Sequence, residues 1–123
     1  MKITRFEDLE CWQEARILTR MVYEVTTDGP FKRDLRLSGQ IQAAATSTMA
    51  NIAEGFIRHS DKEFIQFLFI AMSSCAEVQS HLYVALDRSY VDDEKFEEIY
   101  SQADKTARII SGLIKYLRTK TTK

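Results

Sequence analysis

Apolar residues recur along this chain with the period of helices packed side by side. From about Asp8 to Thr26, Cys11, Ala15, Leu18, Val22 and Val25 follow at steps of 4, 3, 4 and 3. That is a heptad seam, the pattern of helices lying nearly parallel to one another. Asp28-Gly29-Pro30 ends the segment, because glycine permits a left-handed exit and proline cannot continue the hydrogen-bond ladder. A second segment, Lys32 to Phe56, carries Leu37, Ile41, Ala44, Thr48 and Ile52, widened by Ala45, and places Gly55 near its end. It is rich in small residues, which lets a neighbouring helix come close. Ser60-Asp61-Lys62-Glu63 has the form of a capping box and opens a third helix. Phe64, Phe67, Leu68, Ala71, Cys75, Val78, Leu82, Ala85 and Leu86 share one face of it. After a joint near Arg88-Ser89-Tyr90, Asp92 caps a fourth helix with Asp93 and Glu94 in its first turn, favourable for the dipole. Its stripe is Phe96, Ile99, Tyr100, Ala103, Ala107, Ile110, Ile114 and Leu117.

The pattern therefore predicts one all-α domain with helices at about 8–27, 32–57, 61–88 and 92–118 and a frayed polar tail at 119–123. Short links force sequence neighbours to run antiparallel, which gives an up-and-down four-helix bundle. There is no internal repeat and no low-complexity segment.

Three helices carry more apolar surface than one seam uses. In the third, Ile65, Phe69, Met72, Ala76 and Tyr83 form a stripe beside the core face. The fourth adds Ile109, Leu113 and Tyr116, and the first adds Leu9, Trp12 and Tyr23. Some of this width belongs to any small bundle, and Trp12 is placed to cover a bundle end. A contiguous exposed apolar patch on a protein in water calls for a partner, and a second copy is the economical one. These residues are the candidate oligomer interface.

Composition narrows the function classes. Hydrophobic residues make up 45% and charged residues 28%, with one proline and four glycines, an ordinary balance for a water-soluble helical domain. No apolar run approaches the ~20 residues of a membrane span, and the charged start Met1-Lys2-Ile3-Thr4-Arg5 has no signal core. A cytoplasmic location is expected. Cys11 and Cys75 lie far apart with no C-x-x-C spacing and read as packed thiols. His59 and His81 have no second ligand at helical spacing, so neither metal nor other cofactor is expected.

The net charge of −1 is low for a dedicated nucleic-acid binder, but its distribution is uneven. Asp87 to Asp104 holds seven acids and two bases, whereas Lys105 to Lys123 holds six bases and no acid. This polarity complements a helix macrodipole. It also leaves a basic end. In an antiparallel bundle, Arg58, His59 and Lys62 at the second joint share a pole with Lys115, Arg118 and Lys120. A second cluster, Lys32, Arg33 and Arg36, opens the second helix, where the dipole favours acids. These nine are the candidate nucleic-acid contacts.

Several strings coincide with a known family: Phe6-Glu7-Asp8-Leu9 with Trp12-Gln13 and Ala15, then Asn51-Ile52-Ala53-Glu54-Gly55-Phe56. Ser60, Lys62-Glu63-Phe64, Phe67-Leu68, Ile70-Ala71, Ser74, Glu77 and Ala85-Leu86-Asp87 follow. Together they resemble the four-helix-bundle proteins encoded in intervening sequences of bacterial 23S ribosomal RNA genes. Distant relatives serve reverse transcriptases of diversity-generating retroelements as accessory proteins. The resemblance implies an antiparallel four-helix protomer assembled as a homopentameric ring, and no enzymatic activity. From the retroelement relatives it implies contact with nucleic acid and a polymerase through a basic surface. Two departures stand out. Gln42-Ala43 occupies the place of a common basic pair, and Ser47-Thr48-Met49-Ala50 replaces a string with proline, so the second helix keeps every backbone donor there.

Catalytic chemistry finds no foothold. Asn51 and Glu54 fit interhelical hydrogen bonding better than acid–base work. Ser47 and Thr48 have no histidine at a spacing that would activate them. No glycine-rich loop is suited to phosphates. The expectation is a non-enzymatic, self-assembling interaction scaffold, with a nucleic-acid-binding accessory protein as the alternative.

Overall fold

The structure, a computed structural model, describes residues 2–121. A 3-10 turn at Phe6–Asp8 leads into α1 (Glu10–Thr26). The short α2 (Gly29–Arg33) follows, then α3 (Leu35–Phe56), α4 (Asp61–Asp87) and α5 (Asp93–Thr121). Around the bundle the long helices stand in the order α1, α3, α4, α5, and each packs against its two neighbours. Every neighbouring pair is antiparallel. The first pole gathers the starts of α1 and α4 with the ends of α3 and α5. The second holds the other ends and α2.

Local chemistry accounts for most boundaries. The Ser60 hydroxyl accepts from the Glu63 N–H at 3.2 Å and donates back to the Glu63 carboxylate at 3.3 Å. Asp92 accepts from the Lys95 N–H at 2.8 Å and starts α5. At the end of α4, Ser89 adopts φ +60 while the Ser89 and Tyr90 N–H groups return to the carbonyls of Leu86 and Ala85. That is the Schellman arrangement, here formed by serine where glycine is the usual residue.

The second segment departs from expectation at its start. Gly29 takes φ +61 and its N–H donates to the capping Asp28 carboxylate at 2.9 Å, and Pro30 then opens a single turn. Asp34 breaks that turn and caps α3 by accepting from the Leu37 N–H at 3.1 Å. That bond, and a second from the Tyr90 hydroxyl, hold the Asp34 carboxyl below its ordinary range. Lys32 and Arg33 therefore end α2 rather than open the second long helix, and a C-terminal position suits their charge. The fourth helix also runs further than expected. Thr119, Lys120 and Thr121 continue α5 instead of fraying, while the last part of the expected tail, 122–123, lies outside the described residues. α3 is unbroken through Ser47–Ala50, as the missing proline implies.

The core divides into two apolar halves. The second-pole half contains Leu18, Val22, Phe31, Ile41, Val78, Leu82 and Ile99. The first-pole half contains Cys11, Ile52, Leu68, Cys75, Ile110 and Ile114. Between them lies a belt of buried hydroxyls, Thr48, Ser74 and Thr106. Thr48 and Thr106 return their hydrogens to carbonyls one turn back in their own helices, so the belt breaks the core without leaving these donors unpaired. Phe31, Val91 and Leu9 join the core from outside the four expected stripes.

Candidate functional site

The interface candidates separate by exposure. Leu9 is only 8% exposed and belongs to the protomer core, so it is not available to a partner. Trp12, Ile65, Met72, Ile109 and Leu113 are half-buried against the first-pole core, and Phe6 meets Trp12 edge-on at 5.3 Å. Tyr23, Phe69, Ala76, Tyr83 and Tyr116 remain exposed. On α4 they are joined by two residues outside the expected stripe, Ile70 and Val84. Tyr83 packs edge-on against Phe96 and Tyr100, at 5.0 and 5.9 Å, extending the aromatic surface across the α4–α5 side.

The nine basic candidates do not form one site. Lys32 and Arg33 stand at the second pole, and Arg36 lies in the first turn of α3 beside them. At the first pole Arg58, His59 and Lys120 converge around one cleft of about 290 Å³, together with Lys2. Leu9, Phe56, Phe64 and Leu117 form its apolar floor. Two of these cations are engaged locally. Arg58 pairs with Glu54 at 3.0 Å and lies over the Phe67 ring at 4.7 Å, and Lys120 lies 3.8 Å from Asp61. Exposed pairs of this kind exchange readily with an incoming phosphate. Arg118 lies over Phe69 at 5.2 Å, on the α4–α5 side, whereas Lys62 and Lys115 project into solvent.

Asn51 and Glu54 part company. The Asn51 amide donates to the Ser47 carbonyl at 2.8 Å and to its hydroxyl at 3.0 Å, and the Ser74 hydroxyl reaches the same Ser47 oxygen from α4. Asn51 thus joins a relay between α3 and α4. Glu54 faces solvent and serves Arg58, not another helix. Equivalent polar links hold the other interfaces. Gln42 donates to the Thr26 hydroxyl, Gln79 to the Tyr100 carbonyl, and Gln102 to the Glu14 carbonyl and carboxylate at 2.9 and 2.8 Å.

Burial pushes the Cys11 thiol up to about 12 and the Cys75 thiol up to about 11, so neither is a thiolate nucleophile at neutral pH. Among the described residues no group of three or more His, Cys, Asp or Glu side chains could hold a metal ion, and no helix is long and apolar enough to cross a membrane.

One surface was overlooked in the charge pattern. Arg16 and Arg20, one helical turn apart, flank a shallow groove on α1 with Arg5, Trp12 and Ile17, and Arg16 lies over Trp12 at 5.9 Å. Their i, i+4 spacing was legible, but Glu10 and Glu24 on the same helix mask it in any local charge count.

A family model described as 23S rRNA-intervening sequence protein matches residues 7–112. Among solved structures, a protein of unknown function from the S23 ribosomal protein family of Bacteroides thetaiotaomicron VPI-5482 is 24% identical to this chain. It superposes with a TM-score of 0.77 over 85% of this chain and 98% of its own. No curated protein matches.

Proposed function

The chain belongs to the 23S rRNA-intervening sequence protein family, and from that premise we propose that it is a non-enzymatic, self-assembling helical scaffold of the cytoplasm. In this reading it works as a homopentamer that presents surfaces to a protein or ribonucleoprotein partner. The observation that carries the reading is the outward face of α4, where Phe69, Ile70, Tyr83 and Val84 are each between 43% and 51% exposed. Four large apolar side chains on one helix face are a liability for a lone protomer and an asset for an assembly. The test is size-exclusion chromatography with multi-angle light scattering. The expected mass is about 71 kDa, five times the 14.2 kDa chain. A 14.2 kDa species persisting at micromolar concentration overturns the reading.

A second reading, a nucleic-acid-binding accessory protein, is favoured by the convergence of Lys2, Arg58, His59 and Lys120 around the first-pole cleft. Ring assembly would repeat this cationic rim around an axis. Binding of a labelled structured RNA, followed by fluorescence anisotropy, is then expected to weaken steeply as salt rises. It is expected to be lost in Arg58→Glu/Lys120→Glu, which reverses two cations of that cleft. Absence of binding at low salt removes this reading and leaves the first intact.

A further inference from the structure

Gly39 has ordinary helical φ, and a Cβ added there would meet nothing within 4 Å. Nothing inside the chain therefore asks for a glycine at a position where glycine weakens the helix. From Gly39 the outer side of α3 continues through Ala43, Thr46, Ala50 and Ala53, again at steps of 4, 3, 4 and 3. All but the half-buried Ala53 are exposed. This is a second heptad seam on the same helix, turned away from the core and built of small residues. Such a seam receives large side chains from a helix laid alongside it.

The opposite side of the bundle carries large side chains at matching heights. The Ser74–Ser47 hydrogen bond sets α4 against α3. Counting from it at ~1.5 Å per residue, Phe69 is level with Ala53, and Tyr83 with Gly39, to within about one residue. The Gln102–Glu14 bonds set α5 against α1 in the same way. By that count Glu97 is level with Arg20 to within about one residue, and Asp104 is about one turn from Arg16. Arg20 and Glu97 make no ion pair within the described residues. Asp104 is paired with Arg108 at 3.1 Å, so Glu97 is the acid left to face Arg20. On the same side the Tyr100 hydroxyl is pushed upward, first by the adjacent Tyr83 and then by burial, with Asp104 and Glu97 adding to it.

Resting on the self-assembly reading, we infer that the α1–α3 side of one copy docks on the α4–α5 side of the next, with Phe69 and Tyr83 seated along the Gly39–Ala53 seam and Arg20 facing Glu97. The helix order around the bundle makes this consistent. When copies stand side by side and parallel, α4 meets α3 of the neighbour while α5 meets α1. Size and charge then match at once. The two mating surfaces differ, so the contact is heterologous, and repeating it with a fixed rotation closes a ring.

Light scattering on the full chain tests the contact through charge reversal. Arg20→Glu and Glu97→Arg are each expected to weaken assembly at least tenfold and move the mass towards 14.2 kDa. The double variant Arg20→Glu/Glu97→Arg is expected to restore the wild-type mass, because every contact then holds one reversed pair. Gly39→Leu, which has open space in the protomer, is expected to disassemble the ring while helical circular dichroism and cooperative unfolding persist. An assembled wild type whose mass is unchanged in all three single variants, or a double variant that stays dissociated, overturns this contact alone. If Arg20→Glu removes RNA binding without changing mass, the arginine groove belongs to nucleic acid and the contact is again overturned. A wild type that is monomeric removes the self-assembly reading itself, and this contact with it.

Discussion

Phe31→Ala is expected to destabilise the protein by ~3–5 kcal/mol, the range for truncating a fully buried phenylalanine. Phe31 is 1% exposed and is the buried residue of α2. A five-residue helix has no stability of its own, so α2 exists because this ring is packed. Phe31 stacks on Tyr90 at 5.2 Å, and the Tyr90 hydroxyl donates to Asp34, the residue that caps α3. One truncation therefore opens a cavity in the second-pole core and loosens the cap of the next helix. Against a total stability of ~5–15 kcal/mol, that is a large fraction. Urea denaturation followed by circular dichroism measures it. A loss under ~1 kcal/mol would mean that the site collapses around the cavity, leaving α2 dispensable to the core.

That same region shows where sequence reasoning stopped short. Heptad spacing identified nearly every buried apolar position of the four long helices, though not the buried Thr26, Ser38, Ser74 and Thr106. One face per helix meets the core, and its apolar period is visible without knowing any partner. Ser60 and Asp92 were legible for a similar reason: a cap is a local event written into four residues. The break at Asp34 is local too, but no apolar periodicity marks it. Lys32 and Arg33 run into Leu35 without glycine or proline, and Phe31 is an isolated apolar residue whose burial depends on Tyr90, far along the chain.

Surfaces were less legible than the core, also for physical reasons. A second apolar stripe on α4 shows in the sequence, but how far α5 covers it does not. Met72 and Ile65 lean into the core while Phe69 and Tyr83 stay exposed. The nine basic candidates looked like one class and lie at both poles, since only the pairing of helix ends decides which charges meet. Conversely, the small residues of α3 were read as making room for a neighbouring helix. Gly55 bears that out within the chain, and Gly39 does not.

Those two glycines give substitutions of opposite sign. Gly55 is buried at the end of α3, where an added Cβ would lie 2.7 Å from Phe67 Cβ and 2.9 Å from Phe64 Cδ1. Phe67 Cβ is fixed to the α4 backbone and cannot swing aside, so α3 and α4 must separate at the first pole. Overpacking of this kind costs ~1–3 kcal/mol, more than the ~0.5–1 kcal/mol that alanine gains over glycine in a helix. Gly55→Ala is therefore expected to lower the urea midpoint. Gly39→Ala carries the same propensity gain into open space and is expected to raise the midpoint by up to ~1 kcal/mol equivalent. Because the proposed assembly would also contribute to stability, both substitutions are best compared in the Arg20→Glu background at one protein concentration. If Gly55→Ala were neutral there, the close approach of α3 and α4 would not be a tight contact, and the N-I-A-E-G-F string would lose its structural reason for glycine. If Gly39→Ala lowered the midpoint of the lone protomer, some contact inside the chain would require that glycine. The small-residue seam would then belong to the fold and not to a neighbouring copy.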